Sequence, residues 1–208
     1  MSLKQEGIAM NDHYFTENPA SGHDERRVTL TALGNALTFT TDAGVFSRDG
    51  LDRGTEVLLE ALPALSGRVL DLGCGWGAVG VALGKRYPEL DVVMTDINSR
   101  AVALARRNLE ENGVRGQVVQ GDGFAAVEGR FDAIVTNPPI RAGKAVIYGL
   151  FAQARDCLAP GGSLYVVIRK QQGATSALKF LRENYACAEI IDRASGFHVL
   201  RAAMSRPE

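Results

Sequence analysis

Two stretches of this sequence carry residue types that point to chemistry. The one that could act on a substrate is Thr136-Asn137-Pro138-Pro139-Ile140. Two prolines end sheet pairing and stiffen the backbone, but a plain strand stop needs neither two of them nor an Asn in front. The Asn137 side-chain oxygen and the Pro138 carbonyl would be two fixed acceptors. A pair of acceptors suits the two hydrogens of an exocyclic amino group or an amide. Such a nitrogen is a poor nucleophile, because its lone pair is delocalised into the π-system. Holding both hydrogens aims the lone pair at an electrophile and favours a pyramidal nitrogen, so positioning and electrostatics carry the reaction. An electrophile that is already activated, such as a sulfonium methyl donor, needs no strong base. None is offered: His13, His23 and His198 lie outside these loops and read as surface or packing residues. Asn137, Pro138 and Pro139 are therefore the candidate catalytic residues. The same logic expects Asn137→Asp, which keeps an acceptor, to work better than Asn137→Ala.

The second stretch is Asp71-Leu72-Gly73-Cys74-Gly75-Trp76-Gly77-Ala78-Val79-Gly80. Its glycines permit a sharp turn and close approach to a ligand, and the amides opening the following helix favour a negative group. Gly75, Gly77 and Gly80 also match G-x-G-x-x-G, so a nicotinamide-binding oxidoreductase has to be weighed. Asp71 argues against it. A carboxylate aimed into this pocket suits the ammonium of a methionine moiety and would repel a pyrophosphate. Asp96-Ile97 ends the next strand, where a carboxylate can take both ribose hydroxyls; dinucleotide proteins place an acid there too. Gly121-Asp122-Gly123 ends the third, where an Asp can accept from an adenine amino group. Each alone has an ordinary explanation as a surface acid or a turn; their recurrence at successive strand ends favours S-adenosylmethionine. The candidate cofactor residues are Asp71, Gly73, Cys74, Gly75, Gly77, Asp96, Ile97, Asp122, Gly123 and Asn137. Cys74 reads as a small loop residue, and Trp76 as packing on the following helix or shielding the cofactor.

The elements that must hold these loops alternate. Strands are expected over residues 68–72, 91–95, 117–120, 131–136 and 163–168. Helices are expected over 78–87, from Asn98 or Ser99 to Gly113, over 143–158 and over 174–184. Two closing strands, 186–192 and 197–203, flank Ser195-Gly196. This pattern predicts a doubly wound, mostly parallel sheet with helices on both faces. The short last turn requires an antiparallel final pair. Ligands bind at the carboxyl ends of such sheets, where every stretch above falls. Upstream, residues 1–27 read as a polar arm, and Gly34-Asn35 as a hairpin turn within residues 28–40. Thr55 is expected to cap a helix that buries Leu58, Leu62 and Leu65 and ends before Gly67. We expect residues 1–53 to form an N-terminal arm and hairpin extension, and residues 54–208 the catalytic domain.

The 208 residues are 46% apolar and 23% charged, as in a globular protein with a proper core. The net charge of −1 lacks the basic excess often seen in nucleic-acid binders, although a local patch can exist on a neutral protein. Cys74, Cys157 and Cys187 are odd in number and have no metal-ligand spacing. They read as reduced thiols of a cytoplasmic protein with no bound metal. No apolar run reaches membrane-span length, and the N-terminus lacks a signal-peptide core. Met10 could be the natural start.

Taken together, these motifs resemble the class I amino-methyltransferases. The string from Thr136 to Lys144, with Asp42-Ala43-Gly44-Val45-Phe46-Ser47 upstream, resembles the methyltransferase small domain family, the small-subunit ribosomal RNA guanine-N2 methyltransferases. The resemblance covers about residues 12–204. It implies a Rossmann-like seven-stranded sheet with its last strand antiparallel. It also implies S-adenosylmethionine as cofactor and ribosomal RNA of the small subunit as partner. Many amino-methyltransferases carry an aromatic after the two prolines to stack on the target base; here it is Ile140, so a flat partner must come from elsewhere, with Phe46 the candidate. Phe46, Ile140, Arg141 and Lys144 are the expected substrate contacts, the last two toward phosphates. Arg48, Arg53, Arg169 and Lys170 also lie near these loops. The better-known bacterial members carry two tandem copies and this chain has one, so RNA could be gripped by the arm or by a second subunit. The chain could be a monomer or a homodimer. A protein glutamine N5-methyltransferase and a non-catalytic RNA-binding copy are the other readings.

Overall fold

The computed structural model describes residues 17–19 and 21–205; His13, Met10 and most of the expected arm lie outside the described residues. A hairpin comes first, β1 (Arg26–Ala32) and β2 (Asn35–Thr41). The turn is Leu33-Gly34, both at positive φ, one residue earlier than expected. The Asn35 side chain donates to the Leu33 carbonyl from the start of β2, at 3.1 Å. Helix α1 (Arg53–Ala61) follows. Its cap is Asp52, not Thr55: the carboxylate accepts from Gly54 N and Thr55 N. The helix ends early because Pro63 forces Leu62 into extended backbone, at ψ 134°. It buries Val57, Leu58 and Leu59, while Leu65 is buried from the loop beyond.

Alternation then proceeds as β3 (Arg68–Leu72), α2 (Ala78–Arg86), β4 (Asp91–Asp96), α3 (Ser99–Glu111), β5 (Gln117–Gln120), β6 (Phe131–Thr136), α4 (Lys144–Cys157), β7 (Leu158–Arg169), α5 (Ala174–Asn184), β8 (Cys187–Ala194) and β9 (Phe197–Ala203). Asn98 caps α3, accepting from Arg100 N and Ala101 N. Pro160-Gly161-Gly162 is not a turn ahead of a strand but a bulge inside β7. Leu158 pairs with Phe131, and the register resumes at Ser163 opposite Ala133. A side chain at Gly162 would come within 2.7 Å of the Phe131 carbonyl, so the bulge needs glycine there.

The seven strands lie in the order β5-β4-β3-β6-β7-β9-β8. The first five are parallel, and β9 inserts antiparallel between β7 and β8. One face packs on α4 and α5, through Phe151, Leu178 and Leu181. The other packs on α1, α2, α3 and the hairpin, whose Leu37 and Phe39 share one core with Val57, Val81 and Leu104. From β3 the chain steps outward to β4 and β5, then crosses back to β6 on the other side of β3. The crevice between β3 and β6 is therefore the switch point where such sheets bind ligands.

The hairpin is held by side chains. Asn108 of α3, fully buried, accepts from Thr40 N and donates to Thr40 O and Trp76 O at 2.7–2.9 Å. One turn on, Asn112 does the same for Thr38 at 2.8–3.1 Å. Two amides spaced i, i+4 thus satisfy the backbone of β2. The described end of the arm is pinned as well: Ser99 N donates to Glu17 O and Arg100 donates to Ser21 O and Ala43 O. No helix among the described residues is long and apolar enough to cross a membrane. Cys74, Cys157 and Cys187 are all free thiols.

Candidate active site

A cleft of about 520 Å³ opens at the carboxyl ends of β3, β4 and β6, a size suited to a small-molecule cofactor. Its lining includes Asp71, Gly73, Cys74, Gly75, Asp96, Ile97, Asp122, Gly123, Asn137, Pro138, Pro139, Ile140, Arg141 and Phe46. Fourteen of the sequence candidates thus meet in one place. Two do not. Gly77 lies beneath the loop at φ 91°, its Cα facing Ala105, where an added side chain would come within 3.2 Å of the α3 backbone. Its positive φ and its close approach to α3 both favour glycine there. Lys144 opens α4 on the exposed surface and does not line the cleft.

The β3–β4 wall is built from backbone. Gly73 N and Cys74 N both donate to Thr95 O at 2.9 Å, drawing the glycine loop across the end of β4. Asp96 accepts from Gly75 N at 2.8 Å with one oxygen and from Asn98 N at 2.9 Å with the other. Burial pushes its carboxyl up, and these amides pull it back. With Ile97 N also acting on it, the carboxylate still keeps acceptor capacity for a further donor. Asp71 is 3% exposed and accepts from Gly80 N at 2.9 Å. Burial raises its carboxyl to about 7, the Gly80 bond lowers it and nearby Asp96 raises it. Among the described residues no cationic side chain pairs with it. A buried carboxyl of this kind fits a cationic ligand group. Cys74 is no nucleophile: burial, then Asp96 and Asp71, push its thiol well above the usual range.

The β6 wall carries the acceptors. Thr136 donates to the Leu72 carbonyl at 2.8 Å, tying the end of β6 to the end of β3. The chain then leaves the sheet through Asn137, buried Pro138 and Pro139 into a short 3-10 turn, Ile140–Ala142. Pro138 O accepts no turn or loop bond among the described residues. Asn137 Nδ2 lies 3.1 Å from Thr55 Oγ1 and 3.3 Å from Asp52 Oδ1, which leaves its Oδ1 without a protein donor among the described residues.

The rim is aromatic and basic. Phe46 is 39% exposed. It sits where Trp76 Nε1 donates to its carbonyl at 2.9 Å. Trp76, also edge-on to Phe39 at 4.8 Å, therefore locks the glycine loop to the N-terminal extension rather than to its own helix. Beneath this segment Asp42, 1% exposed, is pushed up by burial but held lower overall by bonds from Asp24 N, His23 and Ala43 N and by Arg100. Phe197 was not foreseen; it lines the cleft and lies under Arg169 at 5.3 Å. Val146, Leu150, Asp52 and Thr55 were likewise missed. Of the basic residues, Arg53, Arg141 and Arg169 reach the cleft. Arg48 instead pairs with Asp24 at 2.7 Å.

Comparison with known proteins agrees with this geometry. Residues 36–201 match the model of the methyltransferase small domain family. The chain is 35% identical over 198 residues to the uncharacterized protein YbxB of Bacillus subtilis (strain 168), covering 93% of this chain and 98% of that one. It is 39% identical over 199 residues to ribosomal RNA small subunit methyltransferase C of Pseudomonas entomophila, covering 92% of this chain and 58% of that protein. Among solved structures, the T. Thermophilus 16S rRNA N2 methyltransferase RsmC, in complex with AdoMet and guanosine, aligns at TM-score 0.80 and 30% identity. That alignment covers 90% of this chain and 52% of RsmC. The chain thus spans about half the length of these ribosomal relatives and nearly all of the Bacillus protein. By sequence over most of its length, and by a fold that gathers the glycine loop and the Asn-Pro-Pro loop into one cleft, this chain belongs to the methyltransferase small domain family.

Proposed function

We propose that this protein transfers a methyl group from S-adenosylmethionine to an exocyclic amino nitrogen, that of guanine N2 in small-subunit ribosomal RNA. The observation that carries the reading is the pair of unclaimed acceptors, Asn137 Oδ1 and Pro138 O, across a cleft from buried Asp71 and from Asp96. Relatives named ribosomal RNA small subunit methyltransferase C, and the likeness to RsmC with AdoMet and guanosine, supply the choice of guanine and of RNA.

S-adenosylmethionine would supply a methyl group on a sulfonium, an electrophile that needs no further activation. Asp71 would face its ammonium, Asp96 its ribose hydroxyls, and Asp122 with Gly123 its adenine edge. Asn137 and Pro138 would accept the two hydrogens of the target amine and orient its lone pair. As that nitrogen loses conjugation its N–H bonds become more polar, so both acceptors bind the transition state more tightly than the ground state. The proton released on nitrogen methylation passes to water. Phe46 and Phe197 offer the flat surfaces that Ile140 lacks, and Arg141, Arg53 and Arg169 would meet phosphates.

Isotope-labelled S-adenosylmethionine, offered small ribosomal subunits, free small-subunit RNA and a release-factor-type protein, tests the reading. Label is expected in RNA, as N2-methylguanosine after digestion. Label in a glutamine side chain, the alternative substrate with a planar amide, would overturn the choice of RNA. Tight binding of NAD without binding of S-adenosylhomocysteine would overturn the cofactor.

A further inference from the structure

A primary amide has an accepting end and a donating end, and only one orientation of Asn137 serves an amine. Flipped, it would present two N–H groups to a group that itself carries two N–H bonds. We propose that Asp52 and Thr55 are positioning residues that hold the Asn137 amide with its oxygen toward the target. This inference rests on the role given to Asn137 above.

Hydrogen count and geometry support it. The carboxylate of Asp52 can only accept. Thr55 Oγ1 donates its single proton to Asp52 Oδ2, so toward Asn137 it too can only accept. Nδ2 of Asn137 faces both, at 3.1 Å from Thr55 Oγ1 and 3.3 and 3.4 Å from the two Asp52 oxygens. An oxygen in that position would meet acceptors alone. The two residues are themselves fixed. Asp52 Oδ1 caps α1, accepting from Gly54 N at 2.9 Å and Thr55 N at 3.3 Å, and Thr55 is 6% exposed. The N-terminus of α1 is therefore the bracket on which the Asn-Pro-Pro loop rests. Bonds to a negative acceptor also polarise the amide and enrich Oδ1 in charge, which strengthens it where the amine hydrogens need it. Neither residue has to touch the amine.

The bracket reverses one expectation from sequence. Asn137→Asp would set a second carboxylate where Nδ2 now lies 3.3 Å from Asp52 Oδ1. Like charges at that range repel, so this variant should be no better than Asn137→Ala.

The test uses the full chain. Asp52→Asn keeps a good helix cap but turns a donor toward a donor, and Thr55→Val removes the other acceptor. In methyl transfer to small-subunit RNA, each should lower kcat by roughly tenfold or more, with KM and S-adenosylhomocysteine affinity little changed. The double variant Asp52→Asn/Asn137→Asp exchanges donor and acceptor across the contact and should regain activity over either single change. A purely structural role for Asp52 would give no such rescue. A substrate-independent readout accompanies this. The Nδ2 proton resonances of Asn137, assigned by their loss in Asn137→Ala, should move in Asp52→Asn and in Thr55→Val. If Asn137→Ala loses activity while Asp52→Asn retains it and leaves those resonances in place, the bracket is refuted and the catalytic reading stands. If Asn137→Ala retains activity, the catalytic reading itself fails.

Discussion

The two walls of the cleft are made of different material. On the β3–β4 side the candidate ligating groups are glycine-loop amides and two carboxylates, each carboxylate tied to backbone amides 2 to 21 positions away. On the β6 side the decisive contacts are side chain to side chain and span 82 to 85 positions, from Asn137 back to Asp52 and Thr55. A wall of backbone holds its shape through the sheet ladder and accepts changes in the side chains around it. A wall of side chains holds only while each partner stays in place. Substitutions on the first should therefore act on cofactor affinity, and on the second on turnover.

The largest effect expected is at Asn137. Loss of one oriented acceptor typically lowers a rate by roughly 10²–10³. Asn137→Ala should fold, bind S-adenosylhomocysteine normally and show that loss in single-turnover methyl transfer. A comparable loss of cofactor affinity instead would erase the contrast between the walls. Next comes the support behind them. Asn108→Ala would strand Thr40 N, Thr40 O and Trp76 O in the interior, at a cost of about 3 kcal/mol. A melting temperature lower by roughly 6–12 °C should follow. Because Trp76 and Phe46 move with that contact, the substrate KM should rise more than the cofactor Kd.

The same contrast explains what the sequence made legible. Asp71, the glycine loop, Asp96 and Asp122 sit at the ends of periodic strands, so their meeting follows from the parallel topology alone. Asn137-Pro138-Pro139 was legible because two prolines after an Asn are chemically unusual. Asp52 was not. Before an Arg-Gly-Thr it looks like any surface acid, and nothing local says that a loop 85 residues away will land on it. Thr55 reads as a cap from sequence, whereas the helix is capped three residues earlier, at Asp52. Phe197 reached the cleft only through the antiparallel insertion of β9 beside β7, where Arg169 pairs with Phe197. Gly77 stays out of the cleft lining for the opposite reason. It fits the motif, but its close neighbour is α3, a tertiary contact that a glycine pattern does not distinguish from a ligand. Asn108 and Asn112 carry no motif; their spacing marks one helix face and not the strand it serves.

On the cofactor wall, Asp96→Ala should weaken S-adenosylhomocysteine binding by roughly 1.5–3 kcal/mol, the scale of a hydrogen bond to a charged group. It also frees Gly75 N and Asn98 N, so the melting temperature of the unliganded protein should fall slightly. A change in kcat at saturating cofactor without a change in affinity would mean that this wall, too, reports on the transition state.

The smallest effect, and the one that isolates a single proton, belongs to Asp71. Its carboxyl is raised to about 7 by burial, with the Gly80 bond opposing and Asp96 adding to the shift. Between the ordinary carboxyl value of 3.8 and about 7, the folded, unliganded chain holds this proton and the unfolded chain does not. Its contribution to stability is therefore full below that window and is lost as pH rises through it. A ligand ammonium placed beside Asp71 inverts the preference, because it favours the ionised form. Binding then expels the proton, and the cofactor's affinity should climb with pH, by about tenfold per unit below 7, and level off above. Asp96 shares the wall and its carboxyl is also raised by burial, so Asp71→Asn is the control that separates them. In that variant the slope should flatten and affinity should be lower at pH 8. Calorimetry of S-adenosylhomocysteine binding in buffers of different ionisation enthalpy counts the released proton directly. If the wild type releases none at pH 6 and Asp71→Asn binds S-adenosylhomocysteine as tightly as the wild type at pH 8, the pairing of Asp71 with the ammonium is excluded.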